Sequence, residues 1–276
     1  MYKKTRSEII EEFKNEVKNG RILVGVGAGT GITAKCSEAA DVDMLIIYNS
    51  GRFRMAGRGS LSGLLAYGDA NKIVQEMGQE VLTVVKKTPV LAGVCGTDPF
   101  RDHEIFLKQL KEQGFNGVQN FPTVGLIDGK FRANLEETGM GYGLEVDMIR
   151  TAHELDMLTC PYVFDPAQAT AMAEAGADIL VAHMGLTTKG SIGAETALTL
   201  DDCCDKIRDI IAAGRKVNPE IMVICHGGPI ADPDDAAYVM KKVPEIDGFF
   251  GASSIERLAS ERGMTAQAAA FKAIEK

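Results

Sequence analysis

Two of the chain's four histidines close apolar runs in the same way, His183 in VAHMG and His226 in ICHGG. If those runs are neighbouring parallel strands, they lie about 4.8 Å apart. The two imidazoles would then face one substrate, shuttle its protons, or share one divalent metal. Other candidates follow further apolar runs. Asp98, Glu137 and Glu195 stand in turns or loops where a carboxylate could act as a base once desolvation raises its pKa. Arg52, Arg54 and Arg58 punctuate a small-residue loop, SGRFRMAGRGSLSG, that could close over an anion, with Arg52 or Arg58 the better placed. HGGP (His226–Pro229) and GASS (Gly251–Ser254) read as an anion cup. Gly227, Gly228 and Gly251 would let backbone amides approach a phosphate or carboxylate there, and Ser253 and Ser254 would donate hydroxyls. Asn49, Asn120, Thr188 and Ser191 complete the expected anion-binding set.

These residues need a frame that gathers strand ends at one mouth. The chain has 276 residues and repeats one unit: an apolar run, a Gly/Asn/Asp/Ser turn, then a helical pattern. The runs are 21–26, 44–48, 90–95, 117–120, 158–164, 179–183, 221–225 and 248–250. Several are apolar without alternation, as parallel strands buried on both faces are. Eight such units, and no G-x-G-x-x-G after an early strand, predict a (β/α)8 TIM barrel spanning 1–276 as one domain. Thr5 and Glu8 form a capping box for an extra N-terminal helix that would close the barrel's bottom. Asp165, Pro166 and Gly176 mark the start and end of one barrel helix. The segments 49–68, 121–139 and 184–200 read as long loops on the active face, with a small hairpin at Asp128–Gly129.

Composition narrows the partners. Net charge is −8, which argues against a nucleic-acid scaffold but not against a small anionic substrate. The six cysteines form no C-x-x-C pair, and the charged N-terminus lacks an apolar signal region. Both point to a reducing, cytoplasmic setting. No apolar run approaches membrane-spanning length, so no membrane partner is expected. The strand cores contain no lysine, which disfavours a strand-borne Schiff base. Strand 1 carries no His-x-His, and no G-x-S-x-G elbow is present. A metal-dependent aldolase or lyase, or a barrel that only binds a ligand, remain the alternatives to a hydrolase.

The long segments NSGRFRMAGRGSLSGLLAYGDAN, QNFPTVGLIDGKFR, LEETGMGY, HMGLTTKGSIGAET, HGGP and GASSIER resemble the phosphoenolpyruvate-hydrolase-like family of TIM-barrel enzymes. The resemblance spans essentially the whole chain. A similar barrel forms the C-terminal domain of a plant tobamovirus-resistance protein. The resemblance implies hydrolysis of a phosphorylated or pyruvyl-type acid, by kinship with the phosphoenolpyruvate mutase and isocitrate lyase group. That group uses a cluster of magnesium-binding acids and a Lys-Cys-Gly gating loop. Here the loop is absent and only Asp98 could match the acids. The family and the apolar helix faces together imply a homo-oligomer.

Overall fold

The structure is a computed structural model, and it describes residues 2–275. Its centre is one parallel sheet of nine strand segments: β1 (Leu23–Gly27), β2 (Met44–Ile47), β3 (Val90–Val94), β4 (Gly117–Asn120), β5 (Leu158–Thr159), β6 (Tyr162–Val163), β7 (Ile179–His183), β8 (Met222–His226) and β9 (Gly248–Gly251). Their spatial order is β5-β4-β3-β2-β1-β9-β8-β7-β6. The first and last members of that order are consecutive in the chain, separated only by Cys160 and Pro161, so the sheet curls round on itself.

Nine segments stand where the sequence predicts eight strands, and Pro161 accounts for the difference. It has no amide hydrogen to give the ladder. The run 158–164 bonds its two neighbours alternately, but its ladder is interrupted there. Cys160 N donates to Val118 O on β4, while Val181 N on β7 donates to Pro161 O. At Tyr162 the bond toward β4 goes to the Asn120 side chain, whose Oδ1 accepts from Tyr162 N at 2.6 Å.

Eleven helices surround this sheet among the described residues: α1 (Arg6–Lys18), α2 (Gly31–Ala39), α3 (Asn49–Met55), α4 (Ala70–Val84), α5 (His103–Gln113), α6 (Gly129–Glu137), α7 (Gly143–Glu154), α8 (Pro166–Glu174), α9 (Leu200–Val217), α10 (Pro233–Lys242) and α11 (Leu258–Lys272). Thr5 and Glu8 make the expected capping box for α1. That helix lies across the N-terminal ends of the strands. Arg6 bonds Asp178, just before β7, and Lys14 pairs with Glu220, just before β8. Asp165 caps α8 with Pro166 in its first turn, and Gly176 turns the chain at φ +88°. Asp128–Gly129 does not turn a hairpin. Gly129 instead opens α6, so the segment after β4 is largely helical. The segment after β2 is likewise wound, into α3 and a 3-10 turn, Ser60–Leu64. The segment 184–199 is irregular, as expected.

The strands are buried along nearly their whole length, as apolar strands between a packed interior and a helical jacket must be. α11 departs from this pattern. A π-helical turn, Ser253–Arg257, leads into it, Leu258 is its one buried residue, and every residue from Arg262 to Glu275 is exposed. No helix among the described residues is long and apolar enough to cross a membrane.

Candidate active site

His183 and His226 are a register pair on β7 and β8, each the last residue of its strand. Their ring centroids are 4.7 Å apart and nearly perpendicular. Both side chains are buried, and their hydrogen bonds assign the protons. Gly185 N donates to His183 Nδ1 at 3.0 Å, so His183 carries its proton on Nε2. His226 Nδ1 lies 2.7 Å from the Phe250 carbonyl and must donate to it, which leaves Nε2 as an acceptor. Burial pushes the His226 pKa down to about 4 and drives His183 well below the usual imidazole value. The pair is therefore neutral near pH 7, with one imidazole donating through Nε2 and the other accepting through it.

Around the pair lies a small chamber of about 30 Å³. Its aromatic wall is Tyr48, Phe121 and Tyr162, and Tyr162 Oη sits 3.4 Å from His226 Nε2 and 3.5 Å from Tyr48 Oη. Ser60 and Ser253 add hydroxyls 3.3 Å apart. Leu61, Leu126 and Leu186, from the segments after β2, β4 and β7, cover it. That volume holds about one water.

Charge enters through Arg54, whose side chain is 1% exposed. The last turn of α3 directs its guanidinium inward, 5.2 Å from the centre of the Tyr48 ring. Nη1 bonds Ser50 Oγ at 3.0 Å, while Nε and Nη2 hold Glu256 at 3.3 and 3.1 Å. Glu256 is fully buried and also accepts from Gly29 N. A buried pair of this kind is retained only where hydrogen bonds satisfy both partners, as they do here.

A second carboxylate lies behind β4. Glu145 on α7 accepts from Asn120 Nδ2 at 2.6 Å, Thr123 Oγ1 at 2.7 Å and Val124 N at 2.8 Å. Burial pushes its pKa up to about 7 despite those three donors, each of which pulls it down.

The structure gathers part of the expected set. His183, His226 and Ser253 line the chamber. Thr188 and Gly228 stitch the rims together, since Thr188 N donates to Gly228 O and Gly228 N to Gly185 O. Gly227 packs against Gly185 O, and Gly251 against Ile255 and Ser254. The Gly228 amide is thus not free for an anion, and Ser254 lies outside the lining. Asn49 donates to Gly63 O at the chamber's edge, and Asn120 is committed to Glu145 and Tyr162.

The remaining candidates lie elsewhere. Arg52 pairs with Glu76, and Arg58 reaches only the Gly57 carbonyl. Glu137 is exposed beside Asn134, and Glu195 is exposed in its loop. Ser191 bonds Glu261 at the surface. Asp98 faces a separate open cleft of about 680 Å³, held by Asn71 and Arg101. Arg54 was ranked below Arg52 and Arg58, and Tyr162, Glu256 and Glu145 were not singled out by spacing.

A sequence model of the phosphoenolpyruvate hydrolase-like family matches residues 8–274. The chain belongs to this family. It is 60% identical over 269 residues to the ToMV susceptible protein tm-1(GCR26) of Solanum lycopersicum, and 59% identical to the ToMV resistance protein Tm-1(GCR237) of the same plant. Each match covers 98% of this chain and 36% of the relative, so the chain corresponds to about a third of those proteins. Among solved structures, a phosphonopyruvate hydrolase in complex with oxalate and Mg++ superposes with a TM-score of 0.60 at 15% identity. That match covers 98% of this chain and 88% of the other. It establishes the fold in common.

Magnesium is a hard cation that takes oxygen ligands, carboxylates foremost. The chamber offers phenols, hydroxyls, two imidazoles and a guanidinium, and the carboxylate behind it is bound to Arg54. Among the described residues no three His, Cys, Asp or Glu side chains converge as a ligand set. Those donors do not fit a magnesium centre, and His183 and His226 supply two nitrogens at most toward any other metal.

Proposed function

We propose that this chain is an enzyme, a hydrolase acting on a small anionic substrate of the phosphorylated or pyruvyl type. The observation that carries this reading is the pair of neutral, oppositely protonated imidazoles at the mouth of the barrel, His183 donating and His226 accepting. His226 Nε2 takes a proton from water as the water attacks. For a phosphorylated substrate the attack is on phosphorus, the bond from phosphorus to the leaving oxygen breaks, and His183 Nε2–H gives its proton to that oxygen. Tyr162 holds its hydroxyl against His226, and the spare N–H groups of Arg54 anchor the substrate's anion. Because the chamber has room for about one water, the segments bearing Leu61, Leu126 and Leu186 withdraw to admit substrate.

The same reading counts β5 and β6 as one strand bent at Pro161, making a (β/α)8 barrel that forms one domain over 1–276. It places the protein in the cytoplasm. It also makes the protein a homo-oligomer, which the exposed Met264, Phe271 and Ile274 of the projecting C-terminal segment support. A C–C lyase would use the same acid and base.

A second reading, a barrel that binds a ligand without turning it over, is favoured by one observation. The relatives at 60% and 59% identity are named for virus susceptibility and resistance. The deciding experiment combines thermal shift and turnover with phosphoenolpyruvate, phosphonopyruvate, oxalate and simple oxo acids. Stabilisation with product formation that His226→Ala abolishes supports the hydrolase. Stabilisation without product supports the binding barrel, and the absence of both stabilisation and product rejects both readings.

A further inference from the structure

Tyr162 carries the hydroxyl nearest His226 Nε2, yet what fixes Tyr162 is outside the chamber. Its backbone is gripped by Asn120, whose Oδ1 accepts from Tyr162 N at 2.6 Å and whose Nδ2 lies 3.3 Å from Tyr162 O. Tyr142 Oη donates to the same carbonyl. An asparagine amide can face either way, donor for acceptor. Here two neighbours agree: Tyr162 N donates to the amide's oxygen side, and Glu145 Oε2 takes its donor side. With Nδ2 turned to the carboxylate, Oδ1 is presented to Tyr162 N and replaces the missing main-chain bond between β4 and β6.

We propose that Glu145 is a positioning residue that, through Asn120, sets where Tyr162 holds its hydroxyl, so that the ionisation of a carboxyl outside the barrel is felt at the histidine pair. The inference deepens the reading of the chamber as the reactive site. The ionised carboxylate accepts three donors, from Asn120, Thr123 and Val124. The protonated form must turn one oxygen into a donor, and Thr123 Oγ1 is the partner able to accept it. Asn120 then keeps its contacts with the Tyr162 backbone but loses the charge that anchors its donor side from behind.

The groups that bear on Glu145 are few. Arg132 on α6 favours the ionised form. Tyr142 stands at the start of α7, and Cys95 follows β3; both are neutral near pH 7, because burial raises their pKa values. With burial holding Glu145 near 7, its proton exchanges within the ordinary pH range.

The test needs no substrate. Protein labelled with 13C at glutamate carboxyls and tyrosine rings is titrated by NMR between pH 5 and pH 9. Glu145 and Tyr162 signals sharing one midpoint are the expected result. In Glu145→Gln the Tyr162 step disappears while the remaining tyrosine signals keep their positions. A Tyr162 ring that does not titrate with the Glu145 carboxyl in the unmodified protein overturns the proposal, and this arm stands even if the variant fails to fold. A Tyr162 step persisting in Glu145→Gln also overturns it. Failure of the hydrolase reading shows separately, as absence of product in the turnover assay.

Discussion

The imidazoles of His183 and His226 end adjacent strands in register and carry their protons on opposite nitrogens, one tied to the Gly185 amide and the other to the Phe250 carbonyl. Those backbone contacts hold the tautomers, so each ring has one role. Replacing His226 by Ala removes the acceptor, and turnover is expected to fall by about 10² to 10⁴, the range for one positioned acid or base. His183→Ala falls comparably, and the double variant little further, because the two act as a unit. Circular dichroism should show both folded. Full activity in either variant would remove the pair from the mechanism.

Acid should disable the site and loosen the fold together. The folded pKa of His226 is depressed to about 4 from an ordinary value of 6.5. The stability that this shift contributes is present above pH 6.5 and is lost as pH falls through 4, because the unfolded chain binds the proton first. Turnover limited by His226 falls with a midpoint near 4. His226→Gln should show a shallower decline of melting temperature between pH 6.5 and 4. An unchanged decline assigns acid sensitivity elsewhere.

Glu145 runs with the opposite sign. Its folded pKa, about 7, lies above the ordinary carboxyl value of 4.5. The stability from its protonated form is present below pH 4.5 and disappears as pH rises through 7. The melting temperature of the native protein should therefore fall relative to that of Glu145→Gln as pH rises from 4.5 to 7, and the two should run parallel above about 8. A constant offset across that whole range would refute the linkage.

Arg54 and Glu256 test the buried pair. Removing one partner leaves a charge with no counterion, at an expected loss of about 3–5 kcal/mol in urea unfolding. Arg54→Met combined with Glu256→Leu should cost less than the two single changes added. Additive losses would mean that the two groups are not coupled.

Gly228 has φ +60°, and a Cβ there would meet the Met184 carbonyl at 2.4 Å. Gly228→Ala should destabilise by about 1–3 kcal/mol through strained backbone. It should also weaken the stitching between the segments after β7 and β8. A melting temperature unchanged within error would show that the turn adapts.

Metal removal gives another check. With no carboxylate set at the chamber, dialysis against EDTA is expected to leave the melting temperature unchanged, as is addition of magnesium. Stabilisation by magnesium alone would reveal oxygen ligands that this arrangement lacks.

The histidine pair was legible because a residue closing an apolar parallel strand has little freedom in where it lands. Arg54 was harder to pick from Arg52 and Arg58. The segment read as a loop is the helix α3, and residues two apart on a helix differ by about 200° in direction. Arg54 therefore faces inward and Arg52 outward, an arrangement invisible while the segment counts as coil. Glu145 sits in an ordinary amphipathic pattern, and its burial depends on Asn120 and Thr123, more than twenty positions away. Glu256 reads as a first-turn acid after a serine cap, and only the π-helical turn swings it under Arg54. Glu137 was misleading for the converse reason: α6 forms where a hairpin was expected and carries it to the surface. The barrel-like frame was readable from the repeated apolar runs, except at Pro161, where a missing amide splits one run into two.

The return of the sheet on itself at Cys160–Pro161 has a consequence for how this molecule meets others. A sheet that ends where it begins offers no row of unpaired amides and carbonyls for a foreign strand to copy. Among the described residues, every strand is flanked on both sides or continues directly into its neighbour's partner. The route by which many sheet proteins seed cross-chain β-stacking is thereby shut, even at high concentration in a crowded cell. Self-association through this chain is left to side-chain contacts between helices and loops, which, unlike a ladder of backbone bonds, depend on sequence and can be tuned one residue at a time.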